Sequence, residues 1–328
     1  MLSLRASVPG HLTERVIEVL DGAEGVTGLA VVRGASLAPE GDVVTADVAR
    51  EGANAVVDAL RDLGVHEAGT IRLDPVGTWI SERAYRAEKE APGASADAVV
   101  WAAVEHEAYE ESELNWTYLS FMTLATAIAG VAIIEDSPIL VVGAMVLGPE
   151  FGPIAAIGMA LVGRRWHLLR LATRTLLLGF AAAILLVLLA GLLARAVGWL
   201  TYDDVVRDRT QTAFIDHPNQ WSLVVAVVAA AAGVLSLTSG RTTNLAGVFI
   251  SVTTVPAAGN IALGLAVGAW DEVWRSGAQL GINIAGMAVA GWLTLRVQQA
   301  VWSRVRVRRP RMVGRPPQGG APGAGRSG

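Results

Sequence analysis

Between residues 116 and 300 the chain is a succession of apolar runs, each about 20 residues long. A run of that length crosses the ~30 Å hydrocarbon core of a bilayer as a helix, because no water is there to satisfy backbone N–H and C=O groups. Six such runs are read: 116–134, 138–162, 168–194, 221–239, 243–268 and 277–299. With 52% hydrophobic residues, 17% charged residues and a mean hydropathy of +0.45, the chain is too apolar for an ordinary soluble domain. The expected fold is an α-helical polytopic membrane protein, preceded by a more polar segment over residues 1–114.

Tryptophans mark the borders of these runs: Trp116, Trp166, Trp199, Trp221, Trp270, Trp274 and Trp302 fall at or near their ends, as an interfacial aromatic belt would. Arginines set the orientation. Arg164, Arg165, Arg170 and Arg174 surround the second turn, Arg241 separates the fourth and fifth runs, and Arg296, Arg304, Arg306, Arg308, Arg309, Arg311 and Arg315 crowd the last stretch. Six spans place all three groups on one side, which the positive-inside rule makes cytoplasmic, with both termini inside. Glu135-Asp136 and Asp203-Asp204 then face out; Arg207, Arg209 and Arg275 run against the trend. The opening MLSLRASVPG has no basic stretch leading into an apolar one, so no cleaved signal peptide is expected.

Landmarks recur at a fixed distance. Trp116 and Trp221 open apolar runs, Gly163 and Gly268 close glycine-rich ones, and Arg170 and Arg275 precede long helices; each pair is 105 residues apart. The expected repeats are 115–200 and 220–302 within a membrane domain of 115–302. Three spans per half force opposite orientations, the inverted repeat of many secondary transporters, whose sites lie near the midplane on interrupted helices. Prolines interrupt the second run of each half: Pro149 and Pro153 in one, Pro256 in the other.

Residues 1–75 read as βαββαβ. Strands are expected at Leu2–Val8, Val26–Val32, Val43–Val48 and Glu67–Leu73, helices at His11–Leu20 and Ala53–Leu63, and a turn at Pro39–Asp42. That order is the ferredoxin-like plan of an α+β domain. It resembles the ACT domains, which bind small effectors and pair through their sheets; Val8-Pro9-Gly10 lies where an effector loop would be. Docking or pairing with a second copy is the plainer use. Residues 76–114 read as an acidic connector, helical over Ala96–Glu113 after a Pro92-Gly93 break. Its Glu105, Glu107, Glu110, Glu111 and Glu113 form a solvated face or a vestibule for cations. Residues 303–328 are a basic and then Gly/Pro-rich tail, expected to be disordered over Gly314–Gly328 and suited to anionic lipid; no nucleic-acid partner is expected.

Ser137 to Gly158 reads SPILVVGAMVLGPEFGPIAAIG. Together with Asn115-Trp116 and Leu124-Ala125-Thr126, it resembles the bacterial membrane family named domain of unknown function 389, from about Asn115 to the sixth run. The resemblance implies a bacterial inner-membrane protein and carries over no catalytic or binding residue, so the site is argued from the residues themselves.

Glu150 is the sharpest of them. An ionised side chain at the centre of a span costs roughly 2.5–3.5 kcal/mol on insertion scales, and irregular backbone at that depth survives only when buried in protein or lining a wet cavity. Gly148, Pro149, Glu150, Gly152 and Pro153 are therefore read as an unwound polar segment. Thr253, Thr254, Pro256, Gly259 and Asn260 are its counterpart in the second half. Asn244, Asn283 and Gln279 are secondary polar positions, more in keeping with interhelical bonding. The plainer reading has Glu150 paired with an arginine or capping a broken helix. No cysteine is present, the five histidines lack metal-ligand spacing, and no Walker, GxSxG, HExxH or Rossmann pattern occurs. No enzyme, metal or cofactor is expected. The expected function is a secondary transporter or channel-like carrier of a small solute or ion. The alternative is a membrane-anchored sensor or scaffold whose soluble domain binds an effector or partner.

Overall fold

The computed structural model describes residues 1–90, 99–207, 209, 212, 220–239 and 253–305. Asn244, the first part of the fifth expected run, the Pro92-Gly93 break and most of the tail lie outside the described residues. The described chain is mostly helical with a small N-terminal antiparallel sheet. Contacts divide it into two compact units, residues 1–56 with 62–90, and residues 57–61 with 99–303.

In the first unit β1 (Leu2–Val8), β2 (Val26–Leu37), β3 (Glu40–Val48) and β4 (Thr70–Pro75) form one sheet in the order β2-β3-β1-β4, all neighbours antiparallel. β1 buries alternate residues, Leu2, Leu4, Ala6 and Val8, as period-2 geometry requires. α1 (Thr13–Asp21) packs against β2 and β3 and buries Val16 and Leu20. α2 (Ala53–Asp62) buries Val56, Val57 and Leu60, and α3 (Val65–Ala68) is a single turn.

The strands differ from expectation in three places. β2 runs on to Leu37, because Gly28 and Gly34, both at positive φ, accompany register shifts that bend the strand instead of ending it. The hairpin turn is only Ala38-Pro39, since Leu37 already pairs with Glu40. β4 begins at Thr70, because residues from Val65 to Ala68 close a helical turn first. α4 (Glu82–Glu90), in the expected connector, was not legible as a separate helix; it packs against β2.

The second unit opens with α5 (Trp101–Glu111), shorter than expected. α6 (Trp116–Ile134) starts where the Asn115 side chain accepts a hydrogen bond from the Tyr118 amide at 2.8 Å. The next apolar stretch is two helices, α7 (Pro138–Leu147) and α8 (Phe151–Gly163), bent by 53° at the break. α9 (Trp166–Ala196) follows, then the short α10 (Tyr202–Val206), held by a Thr201–Asp204 capping box. The last helices are α11 (Gln220–Ser239), α12 (Thr254–Val267) and α13 (Trp270–Val305). Among the described residues α6, α9 and α13 are long and apolar enough to cross a membrane, and the bent pair α7–α8 makes a fourth such span if counted as one. α11 and α12 are shorter apolar helices. Trp116, Trp166, Trp199, Trp270 and Trp274 are all exposed, as are Leu177, Leu193 and Val289 along the helices, a surface suited to lipid.

Small residues let the helices approach. A β-carbon at Gly259 of α12 would sit 3.0 Å from the Gly130 amide nitrogen of α6, and one at Gly158 of α8 would sit 3.0 Å from the Trp292 nitrogen of α13.

Candidate functional site

The break between α7 and α8 consists of Gly148, Pro149 and Glu150. Pro153 is not part of it. It is the third residue of α8, as Pro256 is the third residue of α12, where the missing N–H belongs to the unpaired first turn anyway. Both prolines start helices instead of breaking them.

Glu150 occupies the N-cap position of α8 without capping it. Its Oε1 instead accepts a hydrogen bond of 2.6 Å from the hydroxyl of Thr254, the first residue of α12. A carboxylate thus lies at the starts of two helices, where both dipoles favour negative charge. Only 6% of Glu150 is exposed, and its Oε2 has no hydrogen-bond partner. Among the described residues no arginine pairs with it; the pairing is with a hydroxyl. The surroundings are tight: a β-carbon at Gly148 would run into Oε2 of Glu150 and would sit 2.6 Å from Val255 Cγ2.

Thr253, at the N-cap of α12, accepts two side-chain amides through its Oγ1, from Gln279 at 3.2 Å and from Asn283 at 3.1 Å. Gln279 is 0% and Asn283 2% exposed, and the carbonyl oxygens Gln279 Oε1 and Asn283 Oδ1 have no partner. Each buried acceptor left without a donor costs about 1–3 kcal/mol. Three of them are attached to one two-residue stretch, Thr253-Thr254.

Asn260 does not join this cluster. Seven residues further along α12, or about 10 Å at 1.5 Å per residue, its amide nitrogen donates to Glu272 Oε2 and Ser276 Oγ, both at 2.8 Å. Its Oδ1 accepts from Arg209 at 3.1 Å, and Arg209 also pairs with Glu272 at 2.8 Å. Arg209 and Glu272 are both buried. The expected grouping of Asn260 with Glu150 is therefore corrected: Asn260 holds a separate buried ion pair, and Gly259 serves close helix packing. Gly152 lies against Glu111 of α5.

Sequence reading missed Tyr118, Arg209, Glu272 and Ser276. A signal was there for α13: Glu272, Ser276, Gln279 and Asn283 follow one another at spacings of four, three and four, one face of a helix, and all four are buried. The Tyr118 hydroxyl is also buried without a partner, within electrostatic reach of Glu150 and Glu111. Outside the spanning helices, burial pushes the Glu111 carboxyl up from its ordinary range, and Glu107 and Glu110 add to it; Glu107 is raised by burial and then by Glu110. Both line a small pocket with Gly152, Met159, Val234 and Thr238. Glu105 of the same helix is paired with Arg165.

The helices that carry these groups also carry a family signature: the description "Domain of unknown function (DUF389)" matches residues 145–289. Over these residues, somewhat less than half of the chain, the protein is similar to the DUF389 family. The DUF389 match begins near the end of α7 and takes in Glu150, Thr253, Thr254, Asn260, Glu272, Gln279 and Asn283. The N-terminal sheet lies outside it. No curated protein and no solved structure matches this chain.

Proposed function

We propose that this protein is a secondary transporter or channel-like carrier of a small solute or ion in a bacterial inner membrane, acting where the interrupted helices of two inverted repeats meet. The observation that carries the reading is the Glu150–Thr254 bond, a buried carboxylate joining the starts of α8 and α12. In this reading six segments cross the membrane, with both termini cytoplasmic.

Helix correspondence supports the repeat. α6 and α11 begin at Trp116 and Gln220, α8 and α12 at Phe151 and Thr254, α9 and α13 at Trp166 and Trp270, each 103 or 104 residues apart. The amide of Ile154 bonds the Glu150 carbonyl and that of Ala257 bonds the Thr253 carbonyl, both at 3.3 Å. Packing is crossed in the same sense: Leu263 of α12 lies near Val187 of α9 by Gly130, and Gly158 of α8 lies against Ala288–Trp292 of α13. The sheet order β4-β1-β3-β2 supports a ferredoxin-like N-terminal domain, which would regulate the membrane part or pair with a second copy.

In proteoliposomes, flux of Na⁺, K⁺ or H⁺, or uptake of labelled amino acids, should exceed that of protein-free vesicles. Glu150→Gln should lower it at least tenfold. No flux of any of these, or full flux in Glu150→Gln, sinks the reading. The tight packing around Gly148 and Glu150 favours a second one, a membrane-anchored sensor or scaffold. The chain has no cysteine, so Glu150→Cys is a clean probe: labelling by a small water-soluble thiol reagent supports the carrier, and inertness under all conditions supports the scaffold.

A further inference from the structure

Resting on the carrier reading, we infer that the Thr253-Thr254 start of α12 is a binding site for one monovalent metal cation, held by Glu150, Gln279, Asn283 and the two threonine hydroxyls. Four observations point there. Glu150 Oε2, Gln279 Oε1 and Asn283 Oδ1 are buried and partnerless, and each is an acceptor. Thr253 ties Gln279 and Asn283 to one residue of α12, and Thr254 ties Glu150 to the next, so the side chains that carry the three orphaned oxygens are bonded to adjacent residues. All are hard oxygen donors, the set that alkali and alkaline-earth cations take. Finally, Gln279 and Asn283 continue a buried polar face of α13 that begins at Glu272 and Ser276.

Charge selects among the cations. Glu150 supplies the single formal charge of the cluster, so a monovalent ion is neutralised and a divalent one would leave a buried positive charge uncompensated. A proton on Glu150 removes the charge but gives neither Gln279 Oε1 nor Asn283 Oδ1 a donor. A metal cation satisfies all three oxygens at once.

The test is thermal unfolding of the purified full chain in detergent, titrated with NaCl, KCl and CaCl₂ at an ionic strength held constant with choline chloride. NaCl or KCl should raise the unfolding temperature saturably, as binding to the folded state alone requires. Glu150→Gln should abolish the rise, and Gln279→Met or Asn283→Leu should weaken the apparent affinity at least tenfold. Their unfolding in choline alone establishes that they are folded. Identical curves in NaCl, KCl and choline overturn the proposal, as does a saturable rise that survives in Glu150→Gln. A shift with pH but with neither NaCl nor KCl overturns it in favour of a proton, and a rise with CaCl₂ alone overturns the monovalent assignment. Saturable binding without flux in proteoliposomes would sink the carrier and leave this site standing; flux without saturable binding would do the reverse.

Discussion

At the scale of single residues, the chemistry of the interior turns on who donates to Glu150. Thr254 is the donor to its bonded oxygen, so Thr254→Val leaves that oxygen bare at a cost of about 1–3 kcal/mol, while Thr254→Ser keeps the bond. The unfolding temperature of the valine variant should fall and that of the serine variant should stay near the parent. Gly148→Ala should be costly for a different reason, since its methyl meets both the carboxylate and Val255; overpacking of this kind typically costs about 1–3 kcal/mol, read by the same melt. Glu150 was legible from sequence because a charge amid Gly and Pro in an apolar run has few uses. Its partner was not. A threonine in an apolar stretch looks like any other, and which hydroxyl reaches the carboxylate depends on how α8 and α12 meet in space. Asn260 misled for the same reason: nearness to Pro256 in the chain says nothing about a rise of about 10 Å along the helix.

At the scale of elements, caps and small residues explain where helices start and how closely they lie. Asn115, Ser137 and Thr201 each begin a helix with a side-chain acceptor; the starts after Asn115 and Ser137 were readable as borders of apolar runs, and the short helix after Thr201 was not. The split of the second apolar run was readable too, though Pro153 and Pro256, expected to interrupt helices, lie in the first turns of helices instead. The length of α13 was not: its first turns carry Asp271, Glu272 and Arg275, which lower the hydropathy that marks a span, so the helix begins at Trp270 and not at 277. α5 offers a test of pH. Glu107 and Glu111 are raised in the folded chain, so the fold favours their protonated forms; stability is fullest below the ordinary carboxylate pKa and declines as pH rises through the raised values. Hydrogen exchange in α5 should therefore be slower at pH 5 than at pH 7.5 once corrected for intrinsic rates, and Glu111→Gln should flatten the difference. An unchanged pH dependence in that variant would show that Glu111 is not the group responsible. Gly259→Val should weaken the α6–α12 approach by about 1–3 kcal/mol, seen as a lower unfolding temperature.

At the scale of the whole molecule, the arrangement of crossings is the property that most needs an experiment. Six crossings put residue 203 and residue 164 on opposite faces. In intact cells a membrane-impermeant maleimide should label Asp203→Cys and leave Arg164→Cys unlabelled until the cells are opened. Labelling of both, or of neither, removes the six-span arrangement and with it the inverted repeat. Periodicity and charge alone made the helical membrane character readable, because apolar length is a property of the chain itself. The contacts between helices distant in sequence were beyond reach, since which side chains meet depends on how the helices pack in space.

The Arg209–Glu272 pair has a consequence that reaches beyond any one molecule. Removing Arg209 leaves the buried Glu272 carboxylate without its ion-pair partner, a loss of about 3–5 kcal/mol, whereas replacing both by apolar residues of similar size is often neutral. A descendant chain that loses Arg209 alone is therefore handicapped until position 272 follows. Across diverging relatives, positions 209 and 272 should be inherited as a couple, kept together or exchanged together, with intermediates rare.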